Sequence, residues 1–185
     1  MKVLYIITLV ILLFGESPSL KQSQYTKVVL STLYLIDEQD TIFVSVENYI
    51  EIDNKHSLKG IQTSPDYKNM IFYTFSLKAE TIAKLNNLVS NADALKHTNW
   101  EPSPPYLNYC GPTYKLELIV GKERKVAIFD PTYCNMTQSE IIEWFDKTVL
   151  IEPKQSITPF DISTFVSNSL IELKDYFSYI YQNDK

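Results

Sequence analysis

Residues 26–52 decide the fold, because TKVVLSTLYLI (residues 26–36) and TIFVSVENYIEI (residues 41–52) are two strand-forming runs around a polar turn. Asp37-Glu38-Gln39-Asp40 forms that turn, and both runs are rich in β-branched and aromatic residues. The second run alternates between apolar positions (Ile42, Val44, Val46, Ile50 and Ile52) and polar positions (Ser45, Glu47 and Glu51). A period of two with one apolar side predicts a β-hairpin with one dry face.

A third strand and a helix are predicted after this hairpin. The polar segment from Asp53 to Lys68 contains Gly60 and Pro65, which indicates a loop. NMIFYTFSL (residues 69–77) predicts a strand, and Ser76 can cap a helix over about residues 78–95. Apolar residues recur in that segment at helical spacing: Ile82, Leu85, Leu88, Val89, Ala92 and Leu95.

The C-terminal half predicts a second hairpin and two helices. YKLELIV (residues 114–120) is followed by a return strand, and Thr137-Gln138-Ser139-Glu140 has the capping-box pattern of a helix start. Pro159 suits the first position of a last helix, which ends at about Tyr181. The order ββ-β-α-ββ-α-α predicts an α+β fold. We expect a mostly antiparallel sheet of about five strands (two hairpins plus one strand), with about three helices on its dry face.

The N-terminus has the pattern of a secretory signal peptide. Lys2 precedes an apolar run of 12 residues, Val3 to Phe14, and secretory signals have apolar stretches of about 7 to 15 residues. A buried strand or helix of the domain is the alternative, and the lack of a polar face in this run disfavours it. We expect residues 1–19 to be a signal peptide and residues 20–185 to be a single domain. The protein would then be exported, periplasmic or secreted, with no stable membrane span after signal removal.

Composition limits the possible partners. The formal net charge is −5, and the one dense basic spot is Lys122-Glu123-Arg124-Lys125 in a predicted turn. An acidic domain repels phosphate backbones, so no nucleic-acid partner is expected. The 13 tyrosines and four glycines are typical of a packed globular protein.

The two cysteines, Cys110 and Cys134, flank the second hairpin. If Leu118 faces Val126 across the hairpin, facing residues have numbers that add up to 244, and Cys110 and Cys134 then face each other. A facing pair provides the spacing that a disulfide requires, and export provides an oxidising compartment. We therefore expect a Cys110–Cys134 disulfide.

Metal and catalytic readings of the cysteines are weaker. The sequence lacks the close cysteine pairs of zinc sites, and a cysteine nucleophile would need His56 or His97 as its base. We expect no metal site and no cofactor. Two polar groups have ordinary explanations: Asp53 and His56 as a polar turn, and the carboxylates Glu140, Glu143 and Asp146 as a solvated helix face.

The Pro-rich segment from Trp100 to Tyr109 is the candidate binding surface. Its prolines favour an extended form, and Trp100, Tyr106 and Tyr109 are large amphipathic side chains of the kind enriched at binding hot spots. The alternative is that these aromatic rings cover the core beside the hairpin.

These features predict a small exported non-enzymatic domain that binds a protein or a cell-envelope component, of inhibitor or immunity type. The alternative is an exported hydrolase-type enzyme whose site is assembled from residues distant in sequence. The oligomeric state cannot be read from these patterns.

Overall fold

A computed structural model of the protein describes residues 25–38, 41–64, 69–96 and 111–182 and shows an α+β fold. The strands are β1 Lys27–Glu38, β2 Thr41–Asp53, β3 Leu58–Thr63, β4 Met70–Thr74, β5 Thr113–Val120, β6 Glu123–Phe129 and β7 Gln155–Ser156. The helices are α1 Ala79–Ser90, α2 Met136–Ile151 and α3 Ser163–Gln182, and a 3-10 turn covers Ala92–Leu95. The strands form one antiparallel sheet in the order β6-β5-β1-β2-β3-β4-β7.

The predicted α+β class is confirmed, but the described residues form seven strands instead of about five. One additional strand, β3, lies in the segment that was predicted to be a loop. Its Gly60 reads as a turn signal, but it lies under the ring of Tyr73 on the neighbouring strand. A Cβ at Gly60 would stand 2.5 Å from Tyr73 Cζ, so the glycine permits close packing and does not break the strand.

Helices cover both faces of the sheet, so the prediction of a single dry face is wrong. On one face, α1 and α2 pack against residues that include Val28, Leu30 and Leu116. On the other, α3 packs against a second apolar cluster that includes Val29 and Leu33. Neighbouring residues of β1 therefore both enter a core, which removes the polar side that the prediction assumed.

A β-bulge explains why the alternation in β2 misled the prediction. Thr32 pairs with Asn48 and Leu33 pairs with Val46, so Glu47 is an extra residue in β2. Before the bulge, Val44 and Val46 point toward α3, whereas Ile50 and Ile52 after it point toward α1 and α2. Four of the five apolar residues predicted on one face are thus divided between two cores, and the fifth, Ile42, is exposed.

The register of the second hairpin also differs from the prediction. Leu116 pairs with Ala127 and Glu117 pairs with Val126, so paired residue numbers add up to 243 and not to 244. Gly121, at φ +62°, forms a two-residue turn with Lys122. The predicted register assumed that Val126 had to share the face of Leu116. Because α3 covers the opposite face, Val126 is packed there instead.

The helix starts lie close to their predicted positions, but the capping residues differ. No side chain caps α1, whose N-cap residue is Lys78 and not Ser76. The capping box of α2 is formed by Asn135 and Gln138, two residues before the predicted Thr137. The last helix begins at Ser163, where Asp161 accepts a hydrogen bond from the backbone N–H at 2.7 Å, and not at Pro159.

Candidate functional site

A lysine lies completely buried between β5 and α3. Lys115 alternates with the apolar residues of β5, and it points to the face that α3 covers. Its Nζ lies 2.7 Å from Ser169 Oγ, 2.7 Å from Glu117 Oε1 and 2.6 Å from Glu172 Oε2. The ammonium also lies 4.5 Å from the centroid of the Phe165 ring. The ammonium group therefore donates a hydrogen bond to Ser169 and forms ion pairs with both carboxylates.

Arg124 on β6 closes the same network from its outer side. Its Nε and Nη2 donate to the two carboxylate oxygens of Glu117, at 3.1 and 2.6 Å, and its Nη1 donates to Glu172 Oε1 at 2.6 Å. Burial alone would raise the pKa of Glu117, but hydrogen bonds and charge from Arg124 and Lys115 outweigh burial and hold that pKa below its usual range. The network therefore keeps Glu117 ionised although its side chain is buried.

This network is built to attach α3 to the sheet. It contains two cations and two carboxylates, so the four charges are balanced, and each charged group has an opposite charge within 3.1 Å. A general base or nucleophile needs a reactive atom that faces a substrate. Lys115 has no exposed surface, and its ammonium group is already paired with two carboxylates. We interpret the network as a structural ion cluster.

A second charged group lies on the same face, across β1 from the first. Glu51 accepts a hydrogen bond from the Tyr49 hydroxyl at 2.8 Å and pairs with Lys27 at 3.1 Å and Lys59 at 3.3 Å. Burial, together with the neighbouring carboxylates Glu51 and Glu117, raises the pKa of Tyr49 well above its ordinary value. Tyr49 thus stays neutral and acts as a hydrogen-bond donor to Glu51.

The sequence-predicted binding residues Trp100, Tyr106 and Tyr109 lie outside the described residues, and so does Cys110. Cys134 lies just before α2, half-buried, and its thiol lies 3.6 Å from the carbonyl oxygen of Pro131. Cys134 forms no disulfide with any described residue, and burial raises the pKa of its thiol. The disulfide stays a prediction, but the register that suggested it is not the register of the hairpin.

The sequence analysis interpreted Asp53 and His56 as part of a polar turn and the α2 carboxylates as a solvated helix face. Asp53 accepts hydrogen bonds from the backbone N–H groups of Lys55 and Ser57, at 2.9 and 2.8 Å, so it organises the β2–β3 turn as expected. The solvated-face interpretation of the α2 carboxylates holds for Glu140 and Glu143, which are exposed. It is wrong for Asp146, which is partly buried and accepts a hydrogen bond from the Tyr114 hydroxyl.

The outer half of the β1–β2 hairpin extends past its neighbouring strands. β5 pairs with β1 as far as Leu33, and β3 pairs with β2 from Asn48 onward. We call residues 35–38 and 41–45 the ribbon. Within it β1 and β2 pair with each other, and no other strand of the described residues pairs with either of them.

Two large apolar side chains of the ribbon are exposed to solvent. Ile42 is 38% exposed and Phe43 is 39% exposed, and the preceding Thr41 is exposed as well. Because neighbours in a strand point to opposite faces, Ile42 and Phe43 present apolar surface on both sides of the ribbon. The sequence analysis missed these residues, because it placed Ile42 in a dry face that continued along the whole of β2.

The ribbon is also acidic. Residues 28–54 contain six Asp and Glu residues and no Lys, Arg or His. Glu51 and Asp53 of this set are engaged as described above, whereas Glu38 and Glu47 form no ion pair with any cation of the described residues. The charge pattern was visible in the sequence and could have identified the ribbon, had the strand ends been known.

Other types of site are not found in the described residues. Across residues 25–38, 41–64, 69–96 and 111–182, no group of three or more His, Cys, Asp or Glu side chains is arranged to hold a metal ion. Within the same ranges, no helix has the length and hydropathy to span a membrane.

Comparison with known proteins does not assign the chain to a family. No known protein family matches the sequence, and no curated protein is significantly similar to it. The functional proposal therefore depends on the chain itself.

Proposed function

We propose that this chain is a small exported, non-enzymatic domain that binds a protein or another component of the cell envelope through the ribbon. The observation that carries the proposal is the exposure of Ile42 and Phe43 on β2, in the part of the β1–β2 hairpin that extends beyond the neighbouring strands. Inhibitor and immunity-type proteins are examples of the class.

An exposed apolar ribbon favours aggregation, so we do not expect a protein to keep one unless a partner binds there. A two-stranded hairpin is marginally stable alone, and unpaired strand edges favour aggregation. Proteins ordinarily shorten or cover such an edge. The length of β1 and β2, 12 and 13 residues, is more than the sheet uses, since β5 and β3 pair with only part of each strand. Binding of a partner to the ribbon would explain why β1 and β2 are longer than their neighbours require.

The test compares two apolar sites of similar exposure. A tagged Ile42→Ser/Phe43→Ser variant removes the apolar surface of the ribbon, and Val120→Ser removes an apolar side chain that is 42% exposed at the opposite end of the sheet. Wild type and both variants are used to capture partners from the native envelope fraction, with quantification by mass spectrometry. We expect wild type and Val120→Ser to retain the same partner and the ribbon variant to lose it. Equal capture by all three proteins would refute the proposal.

Export and the disulfide belong to the same proposal. A signal peptide over residues 1–19 would deliver the chain to a compartment where Cys110 and Cys134 can be oxidised. The intact mass of protein from its native host should show the loss of about 19 residues. Thiol titration of the denatured, unreduced protein should find no free thiol, and two reactive thiols would exclude the disulfide.

A further inference from the structure

We propose that the ribbon's partner is an extended segment of another protein in which apolar residues are flanked by lysine or arginine, and that this segment adds as a strand to the outer edge of β2. This inference rests on the proposed function, because it names the partner of the same surface. It combines three observations: an open strand edge, apolar side chains on both faces of the ribbon, and carboxylates without a local counter-charge.

The open edge is the side of β2 that would continue the pairing with β3. β3 pairs with Asn48 to Ile52, and the hydroxyl of Thr63 at the end of β3 donates to the carbonyl oxygen of Val46. Beyond that point Thr41 to Ser45 has no strand of the described residues beside it. Five residues of strand provide about 17 Å of edge, the length of an ordinary β-strand. An extended peptide can bind such an edge through main-chain hydrogen bonds.

The apolar side chains of the ribbon indicate that the middle of the partner segment is apolar. Ile42 and Phe43 point to opposite faces of the ribbon and are about equally exposed. An added strand also has side chains on both faces, so apolar residues at neighbouring positions of the partner would cover both Ile42 and Phe43. A helix on one face would cover only one of them.

The carboxylates at the ends of the ribbon indicate that the ends of the partner segment are cationic. Glu38 lies at the end of β1 that faces the tip of the hairpin, and Glu47 lies at the bulge at the other end of the ribbon. The sequence has two more carboxylates next to Glu38, Asp37 and Asp40. Acidic groups at both ends of an apolar edge complement a segment with a cation at each end. The nearest basic residues in the sequence, Lys27 and Lys55, are at the far end of the hairpin.

The same charges argue against a second copy of this chain as the partner. Pairing β2 with β2 of another copy would place the acidic ends of two ribbons next to each other without a basic residue from either ribbon. Like charges opposite each other destabilise strand pairing. The carboxylates therefore select against self-pairing and in favour of a cationic strand.

The binding test uses two synthetic peptides that differ only in charge. Both have a central Thr-Val-Ile-Val-Ile-Thr segment, whose neighbouring apolar residues point to opposite faces of a strand, flanked by two lysines at each end in one peptide and by two glutamates in the other. Fluorescence anisotropy at low and high salt measures their affinity for the protein. We expect the lysine-flanked peptide to bind at least about tenfold more tightly, as a few exposed ion pairs can provide, and to weaken as salt increases. Equal affinity for both peptides, or binding of neither, would overturn this inference.

Protein variants test whether these carboxylates cause the preference for the lysine-flanked peptide. Neutralising the carboxylates of the ribbon and of the residues next to it in the sequence (Asp37→Asn, Glu38→Gln, Asp40→Asn and Glu47→Gln) should reduce the affinity for the lysine-flanked peptide about tenfold. Glu123→Gln is the control, since its side chain is 75% exposed at the start of the distant β6, and it should leave the affinity unchanged. A neutralised protein that binds the peptide as well as wild type, but dimerises in light scattering, would show that the carboxylates only prevent self-pairing, and would overturn the inference.

A failure of this inference can be distinguished from a failure of the proposed function. If both peptides bind equally and the Ile42→Ser/Phe43→Ser variant loses both, the ribbon is a binding surface and only the cationic partner is refuted. If the envelope capture depends on the ribbon but neither peptide binds, the proposed function stands and strand addition by a cationic segment falls.

Discussion

Replacing Lys115 by methionine tests whether the buried ion network holds α3 to the sheet. Methionine keeps much of the length and the apolar part of the side chain but removes the ammonium group. The change leaves Glu117 and Glu172 with one shared cation, Arg124, so the buried cluster acquires one uncompensated negative charge.

The expected loss of stability follows from the burial of Lys115 and its contacts. Removing one partner from a buried ion pair costs about 3 to 5 kcal/mol of unfolding free energy. Because Arg124 continues to contact both glutamates, we expect the lower end, about 3 kcal/mol. For a domain of this size that corresponds to a decrease in Tm of about 6 to 12 °C.

Urea unfolding followed by circular dichroism measures the effect, with Lys125→Met as the control. The Lys125 side chain is 56% exposed, and within the described residues it pairs with Glu123 alone, at 3.9 Å. The loss of stability on its replacement should therefore stay within about 0.5 kcal/mol. Adding Glu172→Gln to Lys115→Met restores charge balance and should recover part of the lost stability. A Lys115→Met protein within about 1 kcal/mol of wild type would refute the conclusion that the network is buried and connected.

Three further predictions concern packing, capping and pH. Gly60→Ala should cost about 1 to 3 kcal/mol in urea unfolding, because the added methyl group meets the buried ring of Tyr73; a loss below about 0.5 kcal/mol would show that this ring moves easily. Asn135→Ala should cost about 1 to 2 kcal/mol, since its side chain caps α2 and also donates to a carbonyl oxygen of the 3-10 turn, whereas Met136→Ala, at an 82% exposed position, should be neutral in the same assay. Because the pKa of Glu117 is lowered in the folded protein, its ionised form stabilises the fold above the usual value of 4.5, and that contribution is lost as the pH falls through the lowered pKa. The stability difference between wild type and Glu117→Gln should therefore be constant above about pH 5 and shrink below 4.5; a difference independent of pH would contradict it.

The sequence predicts the fold class and the helices well because those signals are local. The apolar stripe of α3 is visible at helical spacing, and most of it does enter the core: Ile162, Phe165, Val166, Leu170, Leu173 and Phe177. The bulge at Glu47 could not be predicted in this way, because it depends on how β2 pairs with β1. One extra residue exchanges the faces of every position beyond it, so a local alternation rule fails there.

The functional surfaces were harder to predict, because each depends on where a distant element ends. Lys115 and Glu117 alternate with apolar residues, as solvent-facing residues do, and only the packing of α3 across them reveals that they are buried. Ile42 and Phe43 are exposed because β3 and β5 do not extend far enough to cover them. Propensity rules describe a strand but not the length of its neighbours.

The two outer edges of the sheet are protected against pairing with another chain, and this contrast supports a binding function for the ribbon. At one edge of the sheet, β6 carries Glu123, Arg124 and Lys125 in succession, and charged residues of both signs protect an edge strand. At the other edge, β7 is only two residues long, and such a short strand gives another chain little to pair with. The ribbon has neither form of protection. Its carboxylates repel further copies of the chain but leave the apolar edge open to a cation-bearing strand, which is the combination that a selective binding surface needs.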